Sequence, residues 1–272
     1  MDQVVALKAV GRRSAVDDRI DFVCGSVAAA REVDAPFHHL EFDQVFPADL
    51  YGEILAEMPD ASNYRAMSGR SRGNDAADGT HTRVKIDLFP EYIRHLPPQQ
   101  RALWDVVGRV LCSRRLKDAL AARLAPGLAR RFGSGFARVG MYPVPVLTRD
   151  ISGYRIFPHT DTPWKAITVQ LYLPPDATTA QVGTIFNQRM ADGSFAKHTR
   201  MQFAPNTGYA FAVGRDTWHS VDPLGPEVKT RDSILLTYFV DSGPLRILRN
   251  RGKRVGNFLL NELRHHVRHG PL

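Results

Sequence analysis

Apolar positions change their spacing along this chain, helical before about residue 136 and short and strand-like after it. In the first half, Ile20, Val23, Val27 and Ala30 recur at helical intervals, which predicts a helix over Val16 to Glu32. Phe37 to Phe42 reads as a short strand. A helix follows over Pro47 to Met58, where Leu50, Ile54 and Leu55 make the stripe and Pro59 the stop. After Pro90, Leu103, Val106, Val107, Val110 and Leu111 outline one buried helix face, and a second helix is expected over Arg115 to Leu124. Between Pro59 and Pro90, residues 62–82 are polar and glycine-rich, the texture of a mobile loop, either a lid or disordered.

From Phe136 the runs are short and separated by proline, glycine and polar turns. Strands are expected over Phe136 to Tyr142, Ala166 to Tyr172, Val182 to Asn187, Ala196 to Phe203, Gly208 to Val213, Thr217 to Val221 and Ser233 to Val240. Many short strands at this spacing indicate a sandwich or a barrel. No internal repeat is visible. The chain then returns to helix: Val255, Leu259, Leu263 and Val267 fall every fourth residue, with Phe258 beside them.

Composition narrows the class. The 272 residues suffice for one sizeable core, and 43% hydrophobic with 24% charged residues is ordinary for a globular protein. No apolar run approaches the roughly 20 residues that cross a bilayer, and Met1 to Arg13 lacks the apolar stretch of a secretory signal. Two cysteines far apart, Cys24 and Cys112, build no disulfide framework and fit a reducing cytosol. Part of the excess behind the net charge of +8 is concentrated near the end, where Arg246, Arg249, Arg251, Lys253, Arg254, Arg264 and Arg268 face only Glu262. That excess fits a solvated tail, a nucleic-acid surface or an anionic membrane surface.

The chemistry sits in the β-rich half. His159 and Asp161 are two apart, so an extended backbone turns both side chains to one face, and His219 lies on a later strand. Two imidazoles and a carboxylate are the facial ligand set of non-haem iron oxygenases; zinc hydrolysis is the competing use. Arg231 and Ser233 follow on the next strand, where a guanidinium fork and a hydroxyl two residues on can clamp a carboxylate. The alternative for Arg231 is simple pairing with Asp232 or Glu227.

These residues resemble the iron(II)- and 2-oxoglutarate-dependent dioxygenase superfamily, in particular its prolyl-4-hydroxylase-like branch. The likeness is carried by Phe157-Pro158-His159-Thr160-Asp161, Leu171-Tyr172-Leu173-Pro174, Gly183-Thr184-Ile185-Phe186, Pro205-Asn206-Thr207-Gly208, Trp218-His219-Ser220-Val221 and Arg231-Asp232-Ser233. The resemblance implies an α+β fold with a mainly β core, a double-stranded β-helix or jelly roll, backed by N-terminal helices and a C-terminal helix. It implies His159, Asp161 and His219 as catalytic iron ligands, and Arg231 with Ser233 as the site for the carboxylate of 2-oxoglutarate. A tyrosine that hydrogen-bonds the cosubstrate is implied too, with Tyr142 and Tyr154 as candidates. The implied reaction is hydroxylation coupled to conversion of 2-oxoglutarate and O2 to succinate and carbon dioxide, with ascorbate as a candidate reductant. Asp161 points away from the halogenase variant. One departure is Val182-Gly183, where the family often has paired glycines.

The expected organisation is a single structural domain: a helix-rich support over 1–135 with a candidate lid at 62–82, a catalytic core over 136–240, and a basic C-terminal helix over 241–272. For substrate, Arg149, Arg155 and Lys165 near the ligand pair favour a small anionic or sugar-like metabolite or glycoconjugate. A peptide or protein prolyl hydroxylase is the alternative, and a non-catalytic jelly-roll binding module a third reading. Thr237 stands where the nucleic-acid demethylases of this superfamily carry a second arginine, which disfavours nucleic acid. The C-terminal apolar stripe beside basic residues is either a helix packed on the core or an interfacial helix at an anionic membrane. The expected location is cytoplasmic, peripheral to a membrane in the second case.

Overall fold

Ser14 opens the first helix, its hydroxyl accepting from the Asp17 amide at 3.2 Å, and α1 runs over Ala15–Ala29. The computed structural model describes residues 14–67, 75–76 and 78–241, and beyond them 243, 248, 251–252, 254–256, 258–259 and 262–263. Further helices are α2 (Ala48–Ala56), α3 (Pro90–Ile93), α4 (Pro98–Leu111), α5 (Arg114–Arg123) and α6 (Ala125–Phe132). The strands are β1 (Arg31–Val33), β2 (His39–Phe42), β3 (Arg65–Ala66), β4 (Arg83–Asp87), β5 (Met141–Asp150), β6 (Ile156–His159), β7 (Lys165–Tyr172), β8 (Ile185–Arg189), β9 (Phe195–Arg200), β10 (Gly208–Ala212), β11 (His219–Val221) and β12 (Arg231–Val240).

They form an α+β architecture with two antiparallel sheets. The large sheet has the order β1-β2-β10-β7-β12-β5-β4-β3, and the small one β6-β11-β8-β9. Period-two alternation along β12 separates two cores. Ile234, Leu236 and Tyr238 face the helices, packing with Trp104, Val107 and Leu111 of α4. The opposite face of the large sheet looks toward the small sheet, where Tyr172, Phe186, Tyr209 and Phe211 form an aromatic cluster. Arg231 and Ser233 share this inner parity.

Two local features set the spacing of these layers. Gly183 lies so close to the chain entering from β9 that a Cβ there would sit 1.6 Å from the Met201 carbonyl oxygen. Asn206 has a positive φ of 58°, and its side chain ties the turn before β10 to the start of α2, accepting from the Phe46 amide at 2.9 Å and donating to the Phe46 carbonyl at 2.8 Å.

Several expectations are revised. The first helix ends at Ala29, and Arg31–Val33 turns back as a strand. Phe136–Arg138 is a single 3-10 turn; the strand begins at Met141 and continues to Asp150, past Pro143 and Pro145. Those prolines stand two apart, so their missing donors face one side, and β4 pairs only from Val146 onward. The segment 62–82 is not one loop: Ala61–Asn63 is a 3-10 turn, and Arg65–Ala66 pairs with β4. Ser68, Gly69, Ser71 and Gly73 of the expected lid lie outside the described residues.

The C-terminal helix differs in its orientation. Arg254 stacks on Phe89 at 4.0 Å and pairs with Glu91, Phe258 meets Tyr92, and Glu262 meets His95 at 3.0 Å. Those residues are four apart and share one face. Val255, Leu259 and Leu263 remain 58–62% exposed, so the expected stripe is not the docking face. Val267 lies outside the described residues.

Candidate metal centre

Strand pairing assembles the site. β6 and β11 are neighbours with His159 opposite His219, and their rings lie 4.3 Å apart. Asp161 follows β6 in the loop to β7. The potential ligand atoms of His159, Asp161 and His219 all lie within 4.8 Å of one another, close enough for one ion.

The protonation pattern suits a cation. His159 Nδ1 donates to the Phe157 carbonyl at 2.9 Å, and His219 Nδ1 to the Thr217 carbonyl at 3.0 Å. A carbonyl can only accept, so each Nδ1 carries the proton and each Nε2 keeps a lone pair for a metal. Burial, then the neighbouring His219, pushes His159 down to about 4; burial likewise lowers His219. Both rings are therefore neutral at pH 7. Burial works against the charge on Asp161, yet Lys165, with His219 and Thr168, holds its carboxyl well below the usual range. Lys165 Nζ and Thr168 Oγ1 each lie 2.6 Å from an Asp161 oxygen and orient it.

Arg231 is also on the inner face, 1% exposed, but it is not bare. Its Nη1 donates to Asp150 at 2.8 Å, its Nε to the Val182 carbonyl at 2.8 Å and its Nη2 to Thr184 at 3.2 Å. Asp150 also takes Arg83, at 2.7 Å, so two buried guanidiniums share one carboxylate. Tyr154, fully buried and raised to about 12 by burial, accepts from Arg83 and joins this cluster. Tyr142 does not: its hydroxyl meets Arg254 at 3.2 Å and its ring stacks on Phe89. Ser233 Oγ joins Thr148 at 2.9 Å and Gln170.

Solved structures resemble the chain, among them the following three. A Pseudomonas putida prolyl-4-hydroxylase aligns over 80% of this chain and 99% of its own, at 15% identity and a TM-score of 0.50. The chain has that protein's fold. An oxidoreductase of the 2OG-Fe(II) oxygenase family from Burkholderia pseudomallei covers 86% of this chain and 95% of its own, at 13% identity and a TM-score of 0.46. AviO1 from Streptomyces viridochromogenes covers 86% and 98%, at 12% identity and a TM-score of 0.45. No family model and no curated protein matches the sequence.

Within this prolyl-4-hydroxylase fold, sequence spacing pointed to the three ligand candidates but not to their supports. Arg83 and Asp150 come together because β4 pairs with β5, with Arg83 opposite Asp150. No local motif announces that pairing. Arg149 and Arg155, expected to favour an anionic substrate, are engaged elsewhere. Arg149 pairs with Asp232 at 2.7 Å, and Arg155 lies over the Phe157 ring at 4.8 Å.

Proposed function

We propose that this chain is an iron(II)- and 2-oxoglutarate-dependent dioxygenase of the prolyl-4-hydroxylase-like branch. In this reading it hydroxylates an unactivated C–H bond of a small anionic or sugar-like metabolite or glycoconjugate. The observation that carries the reading is the convergence of His159, Asp161 and His219 with both Nε2 atoms free to ligate. Strand order supports a jelly-roll core: from β5 to β12, the large sheet takes β5, β7, β10 and β12, and the small sheet takes β6, β8, β9 and β11. The core over 136–240 would then rest on the helices before it.

His159, Asp161 and His219 would hold the iron, with Lys165 and Thr168 fixing the carboxylate that completes the set. Arg231 and Ser233, with Tyr154 nearby, would receive the far carboxylate of 2-oxoglutarate. Two guanidiniums on one carboxylate leave a buried positive balance that an anion would satisfy. Iron with 2-oxoglutarate and O2 supplies the oxidising power, the keto acid leaving as succinate and carbon dioxide. The chain's own part is to bind, orient and exclude water.

Anaerobic titration with iron(II) and 2-oxoglutarate, followed by succinate release with metabolite pools and proline-containing peptides, tests the proposal. Stoichiometric iron binding that Asp161→Ala abolishes is the expected result. Iron binding indifferent to that substitution would overturn it. Peptide-dependent turnover alone would favour the prolyl-hydroxylase alternative. We also infer peripheral contact with an anionic membrane through the C-terminal segment, supported by its exposed apolar stripe and basic composition. Among the described residues no helix is long and apolar enough to cross a membrane.

A further inference from the structure

The loops that follow β6 and β10 lie at the same end of the sheets as the three ligand candidates, and together with α6 they enclose a cavity of about 810 Å³. Thr160, Asp161 and Pro163 form one wall, Val213 to Thr217 a second, and Gly127 to Phe132 a third. Since Asp161 borders this space, it opens directly beside the metal centre. Its size is that of a pocket for a small organic molecule.

Its charge is uneven. Arg130, Arg131 and Arg215 border it against Asp161 and Asp216. Each arginine plays a different part. Arg131 is a builder: it donates to the backbone carbonyls of Pro163, Lys165 and Val213, pinning α6 to the connection that carries Asp161 and to the loop that leads into β11. Arg130 meets Asp216 at 3.1 Å across an exposed rim, an ion pair that a better-placed anion can enter. Arg215 is exposed and has no hydrogen-bond or ion-pair partner among the described residues. On the remaining wall stands His38, only 4% exposed, whose Nε2 is taken by Glu32 at 2.6 Å while its buried Nδ1 has no partner. An orphaned buried nitrogen is costly unless a ligand completes it. Phe37, Phe132 and Val213 leave the rest of the lining apolar.

We propose that this cavity is the substrate pocket, and that Arg215 and Arg130 select a substrate bearing an oxyanion, carboxylate or phosphate, with His38 as a further polar contact. The inference rests on the dioxygenase reading for the reaction, but the anion site stands on the pocket itself. A guanidinium fork suits either oxyanion, and a cleft with excess positive charge draws such ligands in. The apolar lining takes the body of the molecule, and Asp161 marks the end where the reacting carbon would lie.

The test uses the full chain and two probes, inorganic phosphate and acetate, titrated calorimetrically at constant ionic strength with and without saturating 2-oxoglutarate. Saturable binding that persists with 2-oxoglutarate, and weakens about tenfold in Arg215→Gln and in Arg130→Gln but not in Arg155→Gln, is expected. The probe bound more tightly names the oxyanion. Three results would overturn the proposal: no saturable binding of either probe, binding by the Arg215 and Arg130 variants as tight as by the unaltered chain, or displacement by 2-oxoglutarate, which places the anion at the cosubstrate site. Absence of iron-dependent succinate formation would instead refute the dioxygenase reading and leave the probe titrations to decide the anion site.

Discussion

Two backbone carbonyls decide what His159 and His219 present to the centre, because each fixes a proton on Nδ1 and leaves Nε2 bare. Holding these imidazoles neutral has a cost at low pH. An unfolded histidine takes a proton near 6.5, whereas folded His159 resists protonation until about 4. Between those values the unfolded chain binds more protons, so stability of the metal-free protein falls as pH is lowered through that window. The loss is on the order of 3 kcal/mol when complete. Urea midpoints taken at pH 7.5 and 4.5 in the presence of chelator check this, with a shallower slope expected for His159→Gln. A second expectation concerns Thr168, which holds Asp161 without itself being a ligand candidate. Thr168→Val should weaken metal affinity about tenfold, read by competition with a chelating dye, and unchanged affinity would deny it a positioning role. At this scale, His159 and Asp161 were readable because they stand two apart in one motif. Thr168 and Arg83 were not, since their meaning comes from strand pairing and not from their neighbours in sequence.

Elements were legible where periodicity was strong and obscure where it was broken. α2 and α4 follow their apolar stripes closely, and β12 lies within two residues of its expected start. β5 was misplaced because proline inside a run argues against a strand, and here both prolines face a side that β4 has already left. β6 has only four residues, one of them Pro158, and offers too little pattern to be seen. The stretch containing β3 and β4 was obscured by its polar, glycine-rich flanks. Gly183 also belongs to this scale, because its missing side chain lets β8 begin against the turn at Met201. Gly183→Ala is expected to cost more than about 2 kcal/mol, as a shift in urea midpoint, because backbone must move to admit the methyl group. A substitution that left the midpoint in place would mean that this approach is loose in solution.

For the molecule as a whole, an apolar stripe pointing outward beside basic residues is an unusual surface to leave in water. Leu248, Val255, Leu259 and Leu263 are 58–70% exposed, while Arg254 and Phe258 secure the segment to α3. Co-sedimentation with vesicles rich in phosphatidylserine should exceed that with neutral vesicles, fall with added salt, and drop about tenfold in Leu259→Glu. Equal recovery with both lipids would assign the stripe to another role. The fold class was legible at this scale because alternation and helical spacing occupy separate halves of the chain. The inward or outward orientation of the last helix was not, since periodicity identifies a face without saying what covers it.

β6 is an outer strand of the small sheet, four residues that among the described residues pair only with β11, through a register shift. An ion bonded to His159 on one strand and His219 on the other would act as a rivet through that seam. Amide exchange at Ile156, Phe157 and His159 then becomes a gauge of occupancy that needs no turnover and no substrate: it should slow when manganese(II) is added and recover when the ion is chelated.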